Sequence, residues 1–171
     1  MREIIYYVTA SLDGFIARPN GSVDWLPEFE GEDFGYAEFF ESIGTVVLGR
    51  KTYDQVLSFG DYPYSAKDNF VFSKTLKTTE HAEIVTHPVA EFAEDQKARP
   101  GKDIWLVGGG ELAAEFFRAR VIDTLIVFVQ PVLLGEGLSL AGHLGQDIKL
   151  ELEATKAFDQ GLVRLDYRVS C

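Results

Sequence analysis

The residues best placed to do chemistry in this chain are glycines and cations that follow apolar runs. Ile104 to Val107 are four apolar residues in a row, the pattern of a short strand buried on both faces. Gly108, Gly109 and Gly110 stop that run, and Leu112, Ala113, Phe116 and Phe117 then recur at helical spacing, so a helix begins where the glycines end. A strand, a glycine turn and a helix in succession aim unpaired backbone N–H groups and a positive helix end at an anion, usually a phosphate. The same order recurs at Thr45-Val46-Val47-Leu48, followed by Gly49-Arg50-Lys51-Thr52-Tyr53. Arg50 and Lys51 oppose the dipole of the helix they start, at a cost of roughly 0.3–1 kcal/mol that a bound anion would offset. Both motifs keep a plainer reading, because tight turns also need glycines and surface cations are usually solvated.

Gly108, Gly110 and Ala113 formally fit the G-x-G-x-x-G/A dinucleotide fingerprint. That fingerprint belongs to the first βα unit of a Rossmann domain and has an acid about twenty residues on, at the end of the next strand. Here the motif lies late in the chain and Asp123 precedes its strand, so the ordinary Rossmann reading fails and the phosphate reading stands.

These motifs need a sheet and helices to hold them. Glu3 to Ala10 reads as a central first strand, and Asp13-Gly14 turns it into a short apolar return at Phe15-Ile16-Ala17. From Asp24 to Glu41 there are seven acids (Asp24, Glu28, Glu30, Glu32, Asp33, Glu38 and Glu41) and no Lys or Arg, mostly a solvated face. Phe34, Ala37, Phe40 and Ile43 mark the inner stripe of a helix over 33–42, with Asp33 as its N-cap. Further strands are expected at 45–48, 69–72, 84–85 and 124–129, with Ser73-Lys74-Thr75 ending the second of these and a helix opening at Pro88. After the Pro131 to Gly137 loop, alternating apolar residues on either side of Asp159-Gln160-Gly161 give a closing antiparallel hairpin. Strands alternating with helices imply an α/β layered fold around a mostly parallel sheet.

At 171 residues the chain suits one domain over 1–171 that buries roughly 70% of its unfolded surface. Cys171 is the sole cysteine, which excludes internal disulfides and cysteine-based zinc sites and fits a reducing, cytoplasmic setting. His81, His87 and His143 are scattered, so no metal site is expected. The start lacks the pattern of a signal peptide and no apolar run approaches a membrane span. A net charge of -11 works against nucleic acid and anionic membranes as partners, and an anionic small ligand would need a local basic pocket.

Ser11-Leu12-Asp13-Gly14-Phe15-Ile16-Ala17, Leu48-Gly49-Arg50-Lys51-Thr52-Tyr53, Val107-Gly108-Gly109-Gly110-Glu111 and Gln130-Pro131-Val132-Leu133-Leu134-Gly135 occur in this order over essentially the whole chain. In this the chain resembles the dihydrofolate-reductase-like superfamily, and within it the stand-alone relatives of the reductase domain of bifunctional riboflavin-biosynthesis proteins. The resemblance implies a three-layer fold, NADPH as cofactor, a small-molecule substrate and a homodimer formed around the final hairpin and the loop after Gln130. Ala10 and Ile16 would line the nicotinamide pocket. Gly49, Arg50, Lys51 and Thr52 would hold phosphates, Ser73 and Lys74 the adenosine 2′-phosphate, and Val107 to Leu112, with Gly108, Gly109, Gly110 and Glu111 between them, the pyrophosphate.

On the substrate side the pattern differs. Riboflavin-pathway reductases carry a substrate-phosphate lysine where this chain has Tyr7, and a second lysine where Asp24 precedes Trp25. True dihydrofolate reductases carry a pterin-binding carboxylate one helix before the Gly-Arg motif, and ungapped counting back from Gly49 places Asp33 there. The resemblance therefore implies an NADPH-dependent reductase of a C=N or C=O bond in a pterin-, pyrimidine- or ribosylaminopyrimidine-like substrate, with Asp33 as catalytic carboxylate. A non-catalytic nucleotide- or drug-binding module on the same fold is the alternative.

Overall fold

The structure, a computed structural model, describes residues 1–28 and 31–170. Glu30 and the thiol of Cys171 lie outside the described residues. The elements run β1 (Ile4–Ser11), β2 (Phe15–Ala17), α1 (Tyr36–Ser42), β3 (Ile43–Gly49), α2 (Arg50–Ser58), β4 (Asp68–Phe72), β5 (Glu83–Val85), α3 (Val89–Ala98), β6 (Asp103–Gly108), α4 (Gly110–Arg118), β7 (Thr124–Gln130), β8 (Leu138–Ser139), β9 (Leu150–Ala157) and β10 (Val163–Val169).

Eight strands form one sheet in the order β5-β4-β3-β6-β1-β7-β10-β9, while β2 and β8 pair as a separate ribbon. Strands from β5 to β7 in that order are parallel, and β10 runs antiparallel to β7 and to β9. This is the expected mostly parallel sheet with a C-terminal antiparallel hairpin. Its central strands are continuous apolar runs because helices cover both faces: Val46, Val47, Leu48, Ile104 and Leu106 are wholly buried. One face packs on α3 and α4 through Phe92, Leu112, Ala113 and Phe116. The other packs on Phe39 of α1 and on Tyr53 and Val56 of α2. Among the described residues no helix is long and apolar enough to cross a membrane.

The short return Phe15-Ile16-Ala17 pairs with β8. One local expectation needs correction. Helix α1 starts at Tyr36, three residues later than its periodicity predicts, and the residue it buries is Phe39 instead of Phe34 and Ala37. The cause is backbone: Phe34 (φ 53) and Gly35 (φ 84) are both left-handed, which turns the chain before the helix can begin. Phe34 instead meets Phe158 edge to face, with centroids 4.8 Å apart.

The α3–α4 layer depends on Phe92, 1% exposed and edge-on to Phe70 and Phe72 at 5.2 and 5.1 Å. Phe92→Ala should therefore destabilise the protein by about 3–5 kcal/mol, measured by urea unfolding; a loss well under that would mean the cavity collapses.

Candidate active site

The two glycine motifs meet. β3 and β6 are parallel neighbours, yet the chain leaves β3 for β4 on one side and β6 for β7 on the other. That is a topological switch point, the crevice at the carboxyl ends of strands where open α/β sheets bind ligands. Helices α2 and α4 start there from Gly49 and Gly109, and neither has a side-chain cap. Their first N–H groups and positive dipole ends are thus left for an anion.

The cradle is narrow. A Cβ on Gly49 would lie 3.5 Å from the Gly108 carbonyl oxygen, and one on Gly109 would lie 3.4 Å from Thr52 Oγ1. Gly108 has φ 114 and is linked to Gly109 by a cis peptide. Gly110 is glycine for another reason: a Cβ there would fall 2.0 Å from the Ser139 carbonyl oxygen, so the β2–β8 ribbon packs directly on the start of α4. The Tyr6 hydroxyl donates to the Leu140 carbonyl at 2.6 Å and ties the same segment to β1. This brings half-buried Ile16, on β2, to the edge of the sheet that holds Ala10, which is 2% exposed.

Arg50 and Lys51 open α2, and Lys74 follows the end of β4. Arg50 pairs with Asp54 at 2.8 Å, while Lys51 and Lys74 are exposed and make no ion pair among the described residues. Gly49 and Phe72 are partners across β3 and β4, so Arg50 and Ser73 emerge from adjacent strand ends. Ser73 Oγ accepts from the N–H groups of Thr75 and Leu76 at 3.3 and 3.0 Å, leaving its own proton to donate. Val107 is half-buried, Leu112 buried and Glu111 exposed. The structure thus gathers Ala10, Ile16, Gly49 to Thr52, Ser73, Lys74 and Val107 to Leu112 along one edge of the sheet, with donors suited to phosphate.

Asp33 lies on the other side of this edge and is exposed. Its carboxylate accepts from the N–H groups of Gly35 and Ala37 at 2.9 and 3.1 Å, so it caps α1 although the helix proper starts later. Nearby, Tyr7 stacks on Phe39 at 3.9 Å and tilts against Phe128 at 5.1 Å. Burial raises the Tyr7 phenol to about 12, so it remains protonated and can donate but not act as a base. Arg164 lies over the same Phe128 ring, 5.6 Å from its centroid, and holds Asp166 through two bonds of 2.7 and 2.9 Å.

A cavity of about 350 Å³ opens beside this cluster, between the Trp25 loop, the end of β7 and the β9–β10 turn; Trp25, Glu28, Glu32, Gln130 and Gln160 line it. Gln130 is the partner of Ser11 across β1 and β7, one residue from Ala10. The sequence marked Trp25, quoted Gln130 at the head of the motif that runs to Gly135 and placed Gln160 in the hairpin turn, but gave Gln130, Gln160 and Arg164 no role at a site. Among the described residues no group of His, Cys, Asp or Glu could hold a metal.

A sheet of this order with its cradle at the β3–β6 crevice defines the dihydrofolate-reductase-like class. The chain belongs to the RibD C-terminal domain family, which it matches over residues 2–164. It is 40% identical over 170 residues to the uncharacterized protein YwjB of Bacillus subtilis, covering 97% of each chain. It is 33% identical to YyaP of the same organism, covering 97% of this chain and 94% of that one. Among solved structures it is similar to a putative riboflavin biosynthesis protein from Shewanella sp. PV-4, with a TM-score of 0.88 and 28% identity over all of both chains. A dihydrofolate reductase from Enterococcus faecalis, complexed with NADP(H), shares the fold at a TM-score of 0.71 and 17% identity, over 99% of this chain and 97% of that one.

The two backbone bonds from Gly35 and Ala37 hold the Asp33 carboxyl below its ordinary range. A depressed carboxyl stabilises the fold above its unfolded value of about 3.9 and loses that contribution as pH falls through the lower folded value. Asp33→Ala should therefore melt below the parent at neutral pH, with the gap closing below about pH 4; a gap constant from pH 7 to pH 3 would show the cap to be uncharged.

Proposed function

We propose that the protein is an NADPH-dependent reductase acting on the C=N or C=O bond of a small, unphosphorylated heterocycle. The observation that carries this reading is the pair of uncapped helix N-termini meeting at one crevice, with Arg50, Lys51 and Lys74 beside it. In an acidic chain, three cations gathered at a cradle that a Cβ would fill fit a ligand with several phosphates. Family membership supports the same reading.

Gly108 to Leu112 would hold the pyrophosphate, Arg50 to Thr52 the phosphates at the second helix, and Ser73 with Lys74 the 2′-phosphate. Ala10 and Ile16 would line the nicotinamide pocket. When bound, the cofactor supplies a hydride. On the substrate side Tyr7 replaces a lysine, and Arg164 is already paired with Asp166 near Glu38. That leaves a poor receptor for a phosphate ester. Asp33, ionised as a cap, can orient a donor group on the substrate but holds no proton to give. Tyr7 and the neighbouring Tyr36, whose phenols burial pushes up, both stay protonated on this face.

The first experiment is cofactor titration. Charge-assisted bonds contribute about 1.5–3 kcal/mol each, so the 2′-phosphate contacts predict NADPH binding roughly tenfold to a thousandfold tighter than NADH. Equal affinities would overturn the assignment of Ser73 and Lys74. Gly109→Val should abolish binding while the protein stays folded, since the added bulk fills the cradle beside Thr52. Oxidation of bound NADPH in a single turnover with heterocyclic substrates separates a reductase from a binding module on the same fold.

We further propose that a second copy covers the apolar face of the C-terminal hairpin. Leu150, 41% exposed, lines an apolar groove with Leu125, Val127, Leu165 and Tyr167. Leu150→Lys should shift the protein from dimer to monomer in sedimentation experiments, and a parent that sediments as a monomer would refute the pairing.

A further inference from the structure

Asparagine occurs twice in the chain, and the two sites are opposites. Asn69 is 8% exposed and locked: its Oδ1 accepts from the Tyr62 hydroxyl at 2.8 Å, and its Nδ2 donates to the Tyr64 and Lys67 carbonyls at 2.8 and 2.7 Å. Asn20 is exposed, is followed by Gly21, and sits in the turn that leaves β2. Gly21 N–H donates to the Arg18 carbonyl at 2.8 Å, Arg18 N–H donates to the Ser22 carbonyl at 2.9 Å, and Gly21 is left-handed at φ 85. This is a tight loop closed on a left-handed glycine. Ser22 N–H donates to Asn20 Oδ1 at 3.0 Å, so the side chain folds back over its own backbone. The ring of atoms closed by that bond contains both Asn20 Cγ and the Gly21 nitrogen.

Those two atoms can react with each other. When a backbone nitrogen attacks the side-chain carbonyl carbon of the asparagine before it, negative charge develops on Oδ1. Ser22 N–H already donates to that oxygen, so the oxyanion forms against a donor fixed beforehand. Glycine at 21 removes the Cβ that would crowd the attacking nitrogen, and the place a Cβ would take there has nothing within 4 Å. The opposing element is the bond from Gly21 N–H to Arg18, because the nitrogen must give up that proton before it attacks. In an exposed turn, water can take the place of this bond.

We propose that Asn20 is a site of spontaneous deamidation that releases the loop over 18–26 from α2. The Gly21 nitrogen loses its proton to hydroxide and bonds to Asn20 Cγ; the Cγ–Nδ2 bond breaks, and ammonia leaves with a proton from solvent. Water then opens the cyclic imide. Addition at Cγ gives aspartate, and addition at the main-chain carbonyl carbon gives isoaspartate, in which the chain runs through Cβ and Cγ. One water is consumed and one ammonia released, with no change of oxidation state. Either product adds a carboxylate to the turn that the Arg18–Asp24 ion pair spans. Isoaspartate also lengthens the backbone by a methylene next to Gly21, whose carbonyl accepts from Gln55 Nε2 at 2.9 Å. That bond ties the loop to α2, the helix that opens at Arg50 beside the crevice. None of this depends on the reductase reading.

The test is ageing of the intact folded protein in warm, mildly alkaline buffer, followed by peptide mapping, with a synthetic peptide of residues 17–24 as the clock. Asn20 should convert to aspartate and isoaspartate with release of an equal amount of ammonia, while Asn69 stays an amide. Asn20→Ser should release no ammonia, and Gly21→Ala should slow the conversion about tenfold by crowding the attacking nitrogen. Aged protein rich in isoaspartate should exchange its backbone hydrogens across 18–26 faster than fresh protein. Gln55→Leu, which removes the tie without ageing, should reproduce that rise. An Asn20 still intact in the folded protein once the peptide has converted overturns the site, and a Gly21→Ala variant that converts as fast as the parent overturns attack by that nitrogen. Conversion that leaves hydrogen exchange across 18–26 unchanged overturns the release from α2.

Discussion

The constraint on which the rest depends is the pairing of β3 with β6. Two strands that end in glycine and lead into helices would be ordinary if separated, but here they are hydrogen-bonded neighbours whose connections diverge. Two helix N-termini must then emerge within one small crevice, with their N–H groups unmet by side-chain caps. Such groups are strongly solvated donors, and leaving them open is tolerable only at a surface that water or an anion can reach. The burial of the strands and the openness of the crevice therefore follow from the same arrangement.

Much of this was legible in the sequence because it is local. An apolar run followed by glycines and helical periodicity states the geometry of 104–117 without reference to any other segment, and the same holds for 45–53. The order of the strands, and hence the meeting of the two motifs, is not local and entered only through resemblance. The first helix was misjudged for a different reason. Phe34 falls in phase with Phe40 and Ile43, but its positive φ takes it out of the helix, and a pattern of hydrophobicity carries no sign of φ for a non-glycine residue. The Trp25 cavity was beyond reach because its walls come from three segments far apart in the chain, joined only by tertiary packing.

Charge is distributed with the same economy. Asp13 illustrates how the acidic chain uses carboxylates as fasteners: it accepts from the Ser11 hydroxyl at 2.6 Å and from the N–H groups of Leu134 and Gly135 at 3.0 and 2.8 Å. These bonds hold its pKa down and join the turn after β1 to the loop after β7, so the two loops bordering Ala10 and Gln130 are cross-tied. Arg2, 7% exposed, does the corresponding work at the opposite end of the sheet through Lys102, Gln96 and Thr45.

One feature of the hairpin bears on behaviour at high concentration. Strand β9 is exposed along its whole length and ends the sheet, so its outer backbone groups are an invitation to polymerise strand on strand. The register with β10 slips beside Asp166, leaving Glu153 without a partner in the ladder and bound to Arg168 instead. A bulge bends and twists a strand locally, and charged side chains along an edge oppose the approach of an identical copy. With Glu151, Glu153 and Lys156 on that strand, the edge itself resists fibril-like stacking, and its charges rather than its backbone meet an approaching copy.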